Sequence, residues 1–173
     1  MTVVVDTNVI LIANGQHQDV SALCGAACAT TLHGVVQSGR VAIDDGYRIL
    51  NEYQNKAAPF QGKRPGDAFL KWLLRNVANP ARCDQVALRE HDIRGFESFP
   101  EDARLANFDP PDRKFVAVAA AHSDKPPILQ AADSKWLDWA AQLNASGVVV
   151  EFLCPDDIQA FDDKKKGRKS RKR

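Results

Sequence analysis

The amino-acid sequence predicts an α/β fold, with a central parallel sheet between two layers of helices around one core. Short apolar runs alternate with segments of helical period along the chain. Within the apolar runs, inward and outward residues do not alternate, which is typical of parallel strands covered on both faces. A length of 173 residues corresponds to one domain with a sizeable core.

The first element is a buried strand that ends in a carboxylate. Residues 3–5 are three consecutive valines, Asp6 follows them, and Asn8 lies two positions later. Ligands bind just beyond the carboxyl ends of strands in open parallel sheets, which makes Asp6 a candidate site residue. Aspartate also starts turns and helices, so this structural role stays open. A loop is expected after the strand.

The next elements continue the alternation of helix and strand. Asp19 or Ser21 is expected to cap the first helix, and Gly39 follows its end. Acidic residues Asp44 and Asp45 form an expected turn after the second strand. The predicted elements are helix 19–38, strand 41–43, helix 47–57, loop 59–66 and helix 67–78.

The second half begins irregularly, with a short strand expected within 83–92 and a short helix within 100–108. Asp109 is then followed by two prolines and Asp112, a pattern that predicts the start of a helix. Arg113 and Lys114 follow and are expected to be solvated helix residues. The last predicted elements are strand 127–131, which leads to Asp133, helix 135–145 and strand 148–153.

Positive charge is concentrated at the C-terminus. Residues 164–173 hold eight of the 23 basic residues and no acid, which leaves the body with a net charge of −7. Such a block is expected to be disordered, so we predict a folded domain over 1–155 and a tail over 156–173. The tail is either solvated or contacts a polyanion such as RNA or DNA. Its basic residues are Lys164, Lys165, Lys166, Arg168, Lys169, Arg171, Lys172 and Arg173.

No membrane partner is expected, because no apolar run approaches the roughly 20 residues needed to span a bilayer. The N-terminus lacks the pattern of a signal peptide, so the expected compartment is the cytoplasm. Cys24, Cys28, Cys83 and Cys154 show no zinc-type spacing. They are expected to be small buried residues kept reduced, with a metal or redox pair of Cys24 and Cys28 as the alternative.

Four acids are expected at one edge of the sheet. Asp6 and Asp133 follow strands, Asp112 starts a helix, and Glu52 lies in the helix after the second strand. Two carboxylates ~4 Å apart repel by roughly 4 kcal/mol at an effective dielectric constant of ~20, so such a cluster takes up protons or binds a cation. Hard oxygen ligands favour Mg²⁺ or Mn²⁺ over Zn²⁺. Such ions activate water for phosphodiester hydrolysis.

The segments around these acids resemble the PIN-domain nucleases. The resemblance covers about residues 1–155 and rests on VVVDTNVI, ILNEYQNKA, PDRKFVAVAA and ILQAADSKWL. It implies a PIN-like fold and Mg²⁺- or Mn²⁺-dependent endoribonuclease activity on single-stranded RNA. The catalytic and metal-binding residues that it implies are Asp6, Glu52, Asp112 and Asp133. Asn8 corresponds to a polar residue of the family, and Ser134 is expected to replace a hydroxyl that the family often has before the fourth acid.

The resemblance leaves the partner open, because many bacterial members are toxins held by an antitoxin and others are free-standing. A homodimer also stays open. One alternative function is a PIN-like module that binds RNA or a protein without cutting. Another is a phosphatase or receiver-like domain, suggested by Asp44 and Asp45 but disfavoured because no Asp-x-Asp follows the first strand. The four histidines pair with no nucleophile in the sequence and are not expected to be catalytic.

Overall fold

The fold was analysed in a computed structural model, which describes residues 1–170 and the side chains up to residue 168. A five-stranded, all-parallel sheet is flanked by helices, which confirms the predicted α/β class. The strands are β1 (Thr2–Val5), β2 (Arg40–Asp44), β3 (Cys83–Val86), β4 (Glu90–His91), β5 (Gly95–Phe96), β6 (Ile128–Gln130) and β7 (Val150–Phe152). The helices are α1 (Thr7–Ala13), α2 (Ala22–Ser38), α3 (Arg48–Lys56), α4 (Pro65–Asn76), α5 (Arg113–Ala121), α6 (Ala140–Ala145) and α7 (Pro155–Ser170).

The large sheet has the strand order β3-β2-β1-β6-β7. Its central strand is β1, in which Val4 and Val5 are fully buried. Val3 lies opposite Val41 of β2 on one side, and Val5 lies opposite Leu129 of β6 on the other. The chain therefore adds strands on both sides of β1, and the gap between the ends of β1 and β6 is a point where ligands bind in open parallel sheets.

Helix α1 replaces the loop that we expected after the first strand, so that prediction was wrong. The Asp6 side chain caps this helix by accepting a hydrogen bond from the Asn8 backbone N–H at 2.8 Å. Val9, Ile10 and Ile12 are buried in the core. A seven-residue helix is too short to show a convincing period in the sequence, and its burial stabilises it.

The other helix and strand predictions hold with shifted boundaries. Ser21, rather than Asp19, caps α2 by accepting from the Cys24 N–H. The irregular segment contains β3, a β4–β5 hairpin and a 3₁₀ turn over Ala103–Leu105. A 3₁₀ turn over Pro110–Asp112 precedes α5, and the predicted helix 135–145 is a 3₁₀ turn over Ser134–Asp138 followed by α6.

Arg113 is buried, which corrects the expectation of a solvated residue. Its guanidinium donates to the carbonyl oxygens of Ile93, Ala106 and Phe108 at 2.9, 2.8 and 3.2 Å. It also lies 5.2 Å from the centre of the Phe99 ring. This one side chain therefore holds the irregular segment before α5 against the start of that helix.

The C-terminal segment is helical, so the prediction of a disordered tail over 156–173 was wrong for the part that the structure describes. Helix α7 buries Ile158 and Asp162 against the body of the protein. Lys165 pairs with Asp138 of the body at 2.7 Å, between nitrogen and carboxylate oxygen. The predicted basic residues Arg171, Lys172 and Arg173 lie outside the described residues.

Two of the four cysteines form a disulfide, although all four were expected to be reduced. A disulfide joins Cys24 of α2 to Cys154, the residue before α7. The expectation that all four cysteines stay reduced was therefore wrong for this pair, and it holds for the buried, free Cys28 and Cys83. The pairing could not be read from the sequence, because Cys24 and Cys154 are 130 residues apart. Among the helices that the structure describes, none has the length and apolar character needed to cross a bilayer.

We predict that Arg113→Ala lowers the free energy of unfolding by about 3 kcal/mol, because it leaves buried carbonyl groups without their donor. Urea unfolding followed by circular dichroism measures the change. The control is Arg104→Ala, which removes an exposed partner of Asp102 and should leave the midpoint unchanged. Equal effects of the two substitutions would contradict the role assigned to Arg113.

Candidate functional site

Asp6 lies at the carboxyl end of the central strand and is almost completely buried, with 5% of its surface exposed. Its backbone N–H bonds the Leu129 carbonyl oxygen of β6 at 2.9 Å, which fixes the carboxylate beside the end of that strand. One carboxylate oxygen accepts from the Asn8 N–H. The capping role and the candidate site role of Asp6 are therefore compatible, because the second oxygen remains.

Asp133 and Asp112 reach the same region from other elements. Asp133 caps the 3₁₀ turn after β6 and accepts from the Lys135 N–H at 3.0 Å. Asp112 directly precedes α5 and is partly buried. The charges of Asp112 and Asp133 both raise the pKa of Asp6, so these carboxylates lie near enough to Asp6 to affect its ionisation. That these acids form one metal-binding cluster stays a prediction.

Glu52 also belongs to this region but is already paired. Its carboxylate accepts from the Thr7 hydroxyl at 2.7 Å and from Lys56 at 3.0 Å, and it pairs with Lys114 at 2.6 Å. Burial raises the pKa of Glu52, but the hydrogen bonds from Lys114, Thr7 and Lys56 outweigh burial and lower it. The expectation that Lys114 is solvated was wrong, because only 8% of it is exposed. Glu52 is therefore an ionised carboxylate whose negative charge is compensated by Lys56 and Lys114.

Asn8 connects the ends of the two central strands. Its side-chain oxygen accepts from the Ala132 N–H at 3.1 Å, next to Asp133. This hydrogen bond ties the first turn of α1 to the segment after β6. Ser134 is the first residue of the 3₁₀ turn that Asp133 caps, and it lines a cavity together with Asn8 and Asp133.

Two of the unpaired acids, Asp6 and Asp112, have raised pKa values. Burial raises the pKa of Asp6 to about 7, and the charges of Asp112, Glu52 and Asp133 contribute. Burial also raises the pKa of Asp112 to about 6, with contributions from the charges of Asp109 and Asp133. In the described part of the chain, no side-chain nitrogen of lysine, arginine or histidine lies within 4.0 Å of a carboxylate oxygen of Asp6, Asp112 or Asp133.

The carboxylates are near one another without being in a closed ligand shell. Among the described residues, no three acids bring oxygen atoms within 4.8 Å of each other; three cysteines alone meet that spacing. Magnesium usually keeps several waters and is bound through one or two carboxylates. Any ion bound by these acids would therefore have to be held partly through water, because they do not form a cage of protein oxygens.

The cavity beside Asp133 has a volume of about 320 Å³ and contains two residues that sequence reasoning missed. His17 and Phe161 line it, with ring centres 6.1 Å apart. The His17 Nδ1 atom is buried and has no hydrogen-bond partner among the described residues. No local signal marked either residue, because His17 lies in a connecting loop and Phe161 lies in the segment expected to be disordered.

The remaining candidates, Asp44 and Asp45, lie at the end of β2 and in the turn after it. Asp44 is fully buried and accepts from the N–H groups of Arg48 and Ile49, which start α3. Asp45 accepts from the Leu88 N–H. Both have the structural role expected of a strand-end turn.

Comparison of the chain with protein-family models, with curated proteins and with solved structures gave no significant match.

We predict that Asp6→Asn flattens the pH dependence of stability in the metal-free protein. The folded pKa of about 7 exceeds the unfolded value of 3.8, so the folded state binds more protons between these values. The free energy of unfolding therefore falls as the pH rises from about 4 to about 7, by roughly 4 kcal/mol at ~1.4 kcal/mol per pKa unit.

Urea unfolding in EDTA at a series of pH values tests this prediction. The Asp6→Asn variant should be more stable than the wild type above pH ~7, where the wild-type carboxylate is ionised. Asp45→Asn, at an exposed turn, should retain the wild-type slope. Parallel curves for the wild type and Asp6→Asn would show that Asp6 is not a buried, destabilised carboxylate.

Proposed function

We propose that this chain is a metal-dependent endoribonuclease of the PIN type, which hydrolyses phosphodiester bonds of single-stranded RNA. One observation carries the proposal: Asp6, Asp112 and Asp133 come from distant parts of the chain, and the charges of Asp112 and Asp133 both raise the pKa of Asp6. Within the described residues none of them has a cationic partner. A group of acids that the protein leaves without a counter-charge is suited to a cation from solution.

The chemistry of the donors selects the class of ion. The three aspartates offer only hard oxygen ligands, which suit Mg²⁺ or Mn²⁺. When bound, such an ion lowers the pKa of water and stabilises charge on a phosphodiester. Asp6, Asp112 and Asp133 are the residues proposed to hold it. These residues would be ionised when the ion is bound, since a metal displaces protons from its ligands.

The contacts of Glu52 support a more specific role for this residue than the sequence alone indicated. Its carboxylate holds Thr7 at the start of α1 and Lys114 in the first turn of α5. The Tyr53 hydroxyl donates to the Val5 carbonyl oxygen, which fixes α3 against the end of β1. We infer that Glu52 completes the acidic site and positions Lys114, whose charge then offsets part of the negative charge of the site.

The basic end of α7 lies where RNA could approach the acids. Phe161 borders the same cavity as Asp133, and Lys164 lies 5.7 Å from the Phe161 ring centre. Lys164 therefore lies near the rim of this cavity. Lysine and arginine at such a rim bind phosphates without sequence preference. This placement supports the proposed contact of the C-terminal segment with RNA.

The proposal includes a cytoplasmic location, where RNA is available. An antitoxin or a second copy of the chain remains a proposed partner. A PIN-like module that binds RNA or protein without cutting is the second candidate. It is favoured by the absence, among the described residues, of three acids with oxygen atoms within 4.8 Å of one another. RNA binding that is unaffected by Asp6→Asn and unaccompanied by cleavage would support this second function.

We predict that the protein cleaves labelled single-stranded RNA in Mn²⁺ and not in EDTA, leaving 5′-phosphate and 3′-hydroxyl ends. Asp6→Asn and Asp112→Asn should each lower the rate roughly 100-fold or more, because an ion contributes several kcal/mol to the transition state. Asp45→Asn, at the end of the neighbouring strand, should retain the wild-type rate. Cleavage that persists in EDTA would remove the metal mechanism.

We predict that Lys164→Ala combined with Arg168→Ala weakens RNA binding and its salt dependence. Each lost phosphate contact should reduce the slope of log affinity against log salt by roughly 0.7 for a single strand. Filter binding of a non-hydrolysed RNA in EDTA at several salt concentrations gives the slope. Lys63→Ala with Arg75→Ala, two cations of the α4 region, is the matched control. Equal slopes for both double variants would exclude an RNA contact at α7.

A further inference from the structure

We propose that the reduced protein binds one thiophilic cation, of the Zn²⁺ or Cd²⁺ class, through the sulfur atoms of Cys24, Cys28 and Cys154. This site lies between α2 and the start of α7 and is independent of the proposed nuclease function. The three Sγ atoms all lie within 4.8 Å of one another, although no ion is present. They form the one such group of possible ligands within the described residues.

The spacing of the sulfurs suits a metal. Cys24 and Cys28 are four residues apart on α2, so both sulfurs lie on one face of the helix. The Sγ atoms of Cys28 and Cys154 are 3.9 Å apart without a bond between them. Two thiolates about 2.3 Å from a tetrahedral zinc ion are separated by roughly 3.8 Å. The third thiol is therefore already at ligand spacing from the disulfide.

The disulfide and the metal are two exclusive states of the same sulfurs. Reduction by tris(2-carboxyethyl)phosphine breaks the Cys24–Cys154 bond and adds two electrons and two protons to the sulfurs. The phosphine takes an oxygen atom from water and becomes the phosphine oxide. A cation that binds afterwards displaces the thiol protons into the buffer. In the proposed reducing compartment, disulfides are rare, so the three-thiol state is the relevant one.

A cavity beside the cysteines gives a cation access to the sulfur atoms and leaves space for a fourth ligand. The three cysteines are buried, and a cavity of about 410 Å³ adjoins Cys24 and Cys154. Water in this cavity can provide a fourth ligand, whereas both carboxylate oxygens of Asp157, which also lines it, accept hydrogen bonds from Ser21 at 2.7 Å. Cys24 lies in the first turn of α2 and Cys154 directly precedes α7, and helix N-termini favour the thiolate form.

The bound cation would take over the function of the disulfide as a connection between α2 and α7. Either form holds the C-terminal helix, with its basic residues, against the body of the protein. Three soft sulfur ligands discriminate against Mg²⁺ and Mn²⁺, which prefer oxygen. The two proposed metal sites therefore select different ions and can be tested separately.

A Cd²⁺ titration of the full chain, followed by thiolate-to-cadmium charge-transfer absorption, tests the proposal. We expect one Cd²⁺ per chain in the phosphine-reduced protein and none in the disulfide form, a comparison that needs no variant. Cys28→Ser should weaken binding by the reduced chain roughly 100-fold, because one of three sulfur ligands is lost. Cys83→Ser removes the other buried free cysteine, on β3, and should bind like the wild type.

Three results would overturn the proposal. These are a reduced wild type that shows no charge-transfer band, a disulfide form that binds as well as the reduced form, and a Cys28→Ser variant with wild-type affinity. Circular dichroism of each reduced sample identifies unfolding. If Cys28→Ser is unfolded, the ¹¹³Cd chemical shift of the reduced wild type decides, since it reports the number of sulfur ligands. A shift typical of oxygen ligands would contradict the three-cysteine site.

Discussion

The repulsion between buried carboxylates at the carboxyl end of β1 is the constraint around which the site is built. Three apolar strand residues lead directly to Asp6, which the fold buries beside the charges of Asp112 and Asp133. Ionising these groups costs free energy unless a cation or protons compensate. The same carboxylate caps α1, so local structure fixes the position of Asp6 even though its ionisation is unfavourable.

The acids of the site differ in how their charge is compensated. Glu52 has Thr7, Lys56 and Lys114 as donors, and its pKa is lowered. Asp6 and Asp112 have no cation in contact among the described residues, and their pKa values are raised. This separation into one neutralised acid and a group of uncompensated acids is the physical basis of the proposed function. For this reason we propose the aspartates, and not Glu52, as direct ligands of the ion.

The sheet and most helices could be predicted because apolar runs, caps and prolines are local signals. The convergence of Asp6 and Asp133 followed from the rule that parallel strands end at the same edge. Three features depended on contacts that are distant in sequence: the burial of Arg113, the packing of α7 through Ile158, and the Cys24–Cys154 pair. Composition suggested a disordered tail because basic residues dominate it, whereas a few buried side chains are enough to hold the helix.

The most direct measurement of the central claim is equilibrium binding of Mn²⁺ to the full chain, followed by electron paramagnetic resonance of the free ion. The experiment is best done above pH ~7, because the pKa of Asp6 is about 7, and with the disulfide intact, so that the cysteines do not contribute. The account predicts saturable binding that Asp6→Asn and Asp112→Asn each weaken strongly and that Asp45→Asn leaves unchanged. Binding that is absent, or equal in all four proteins, would contradict it.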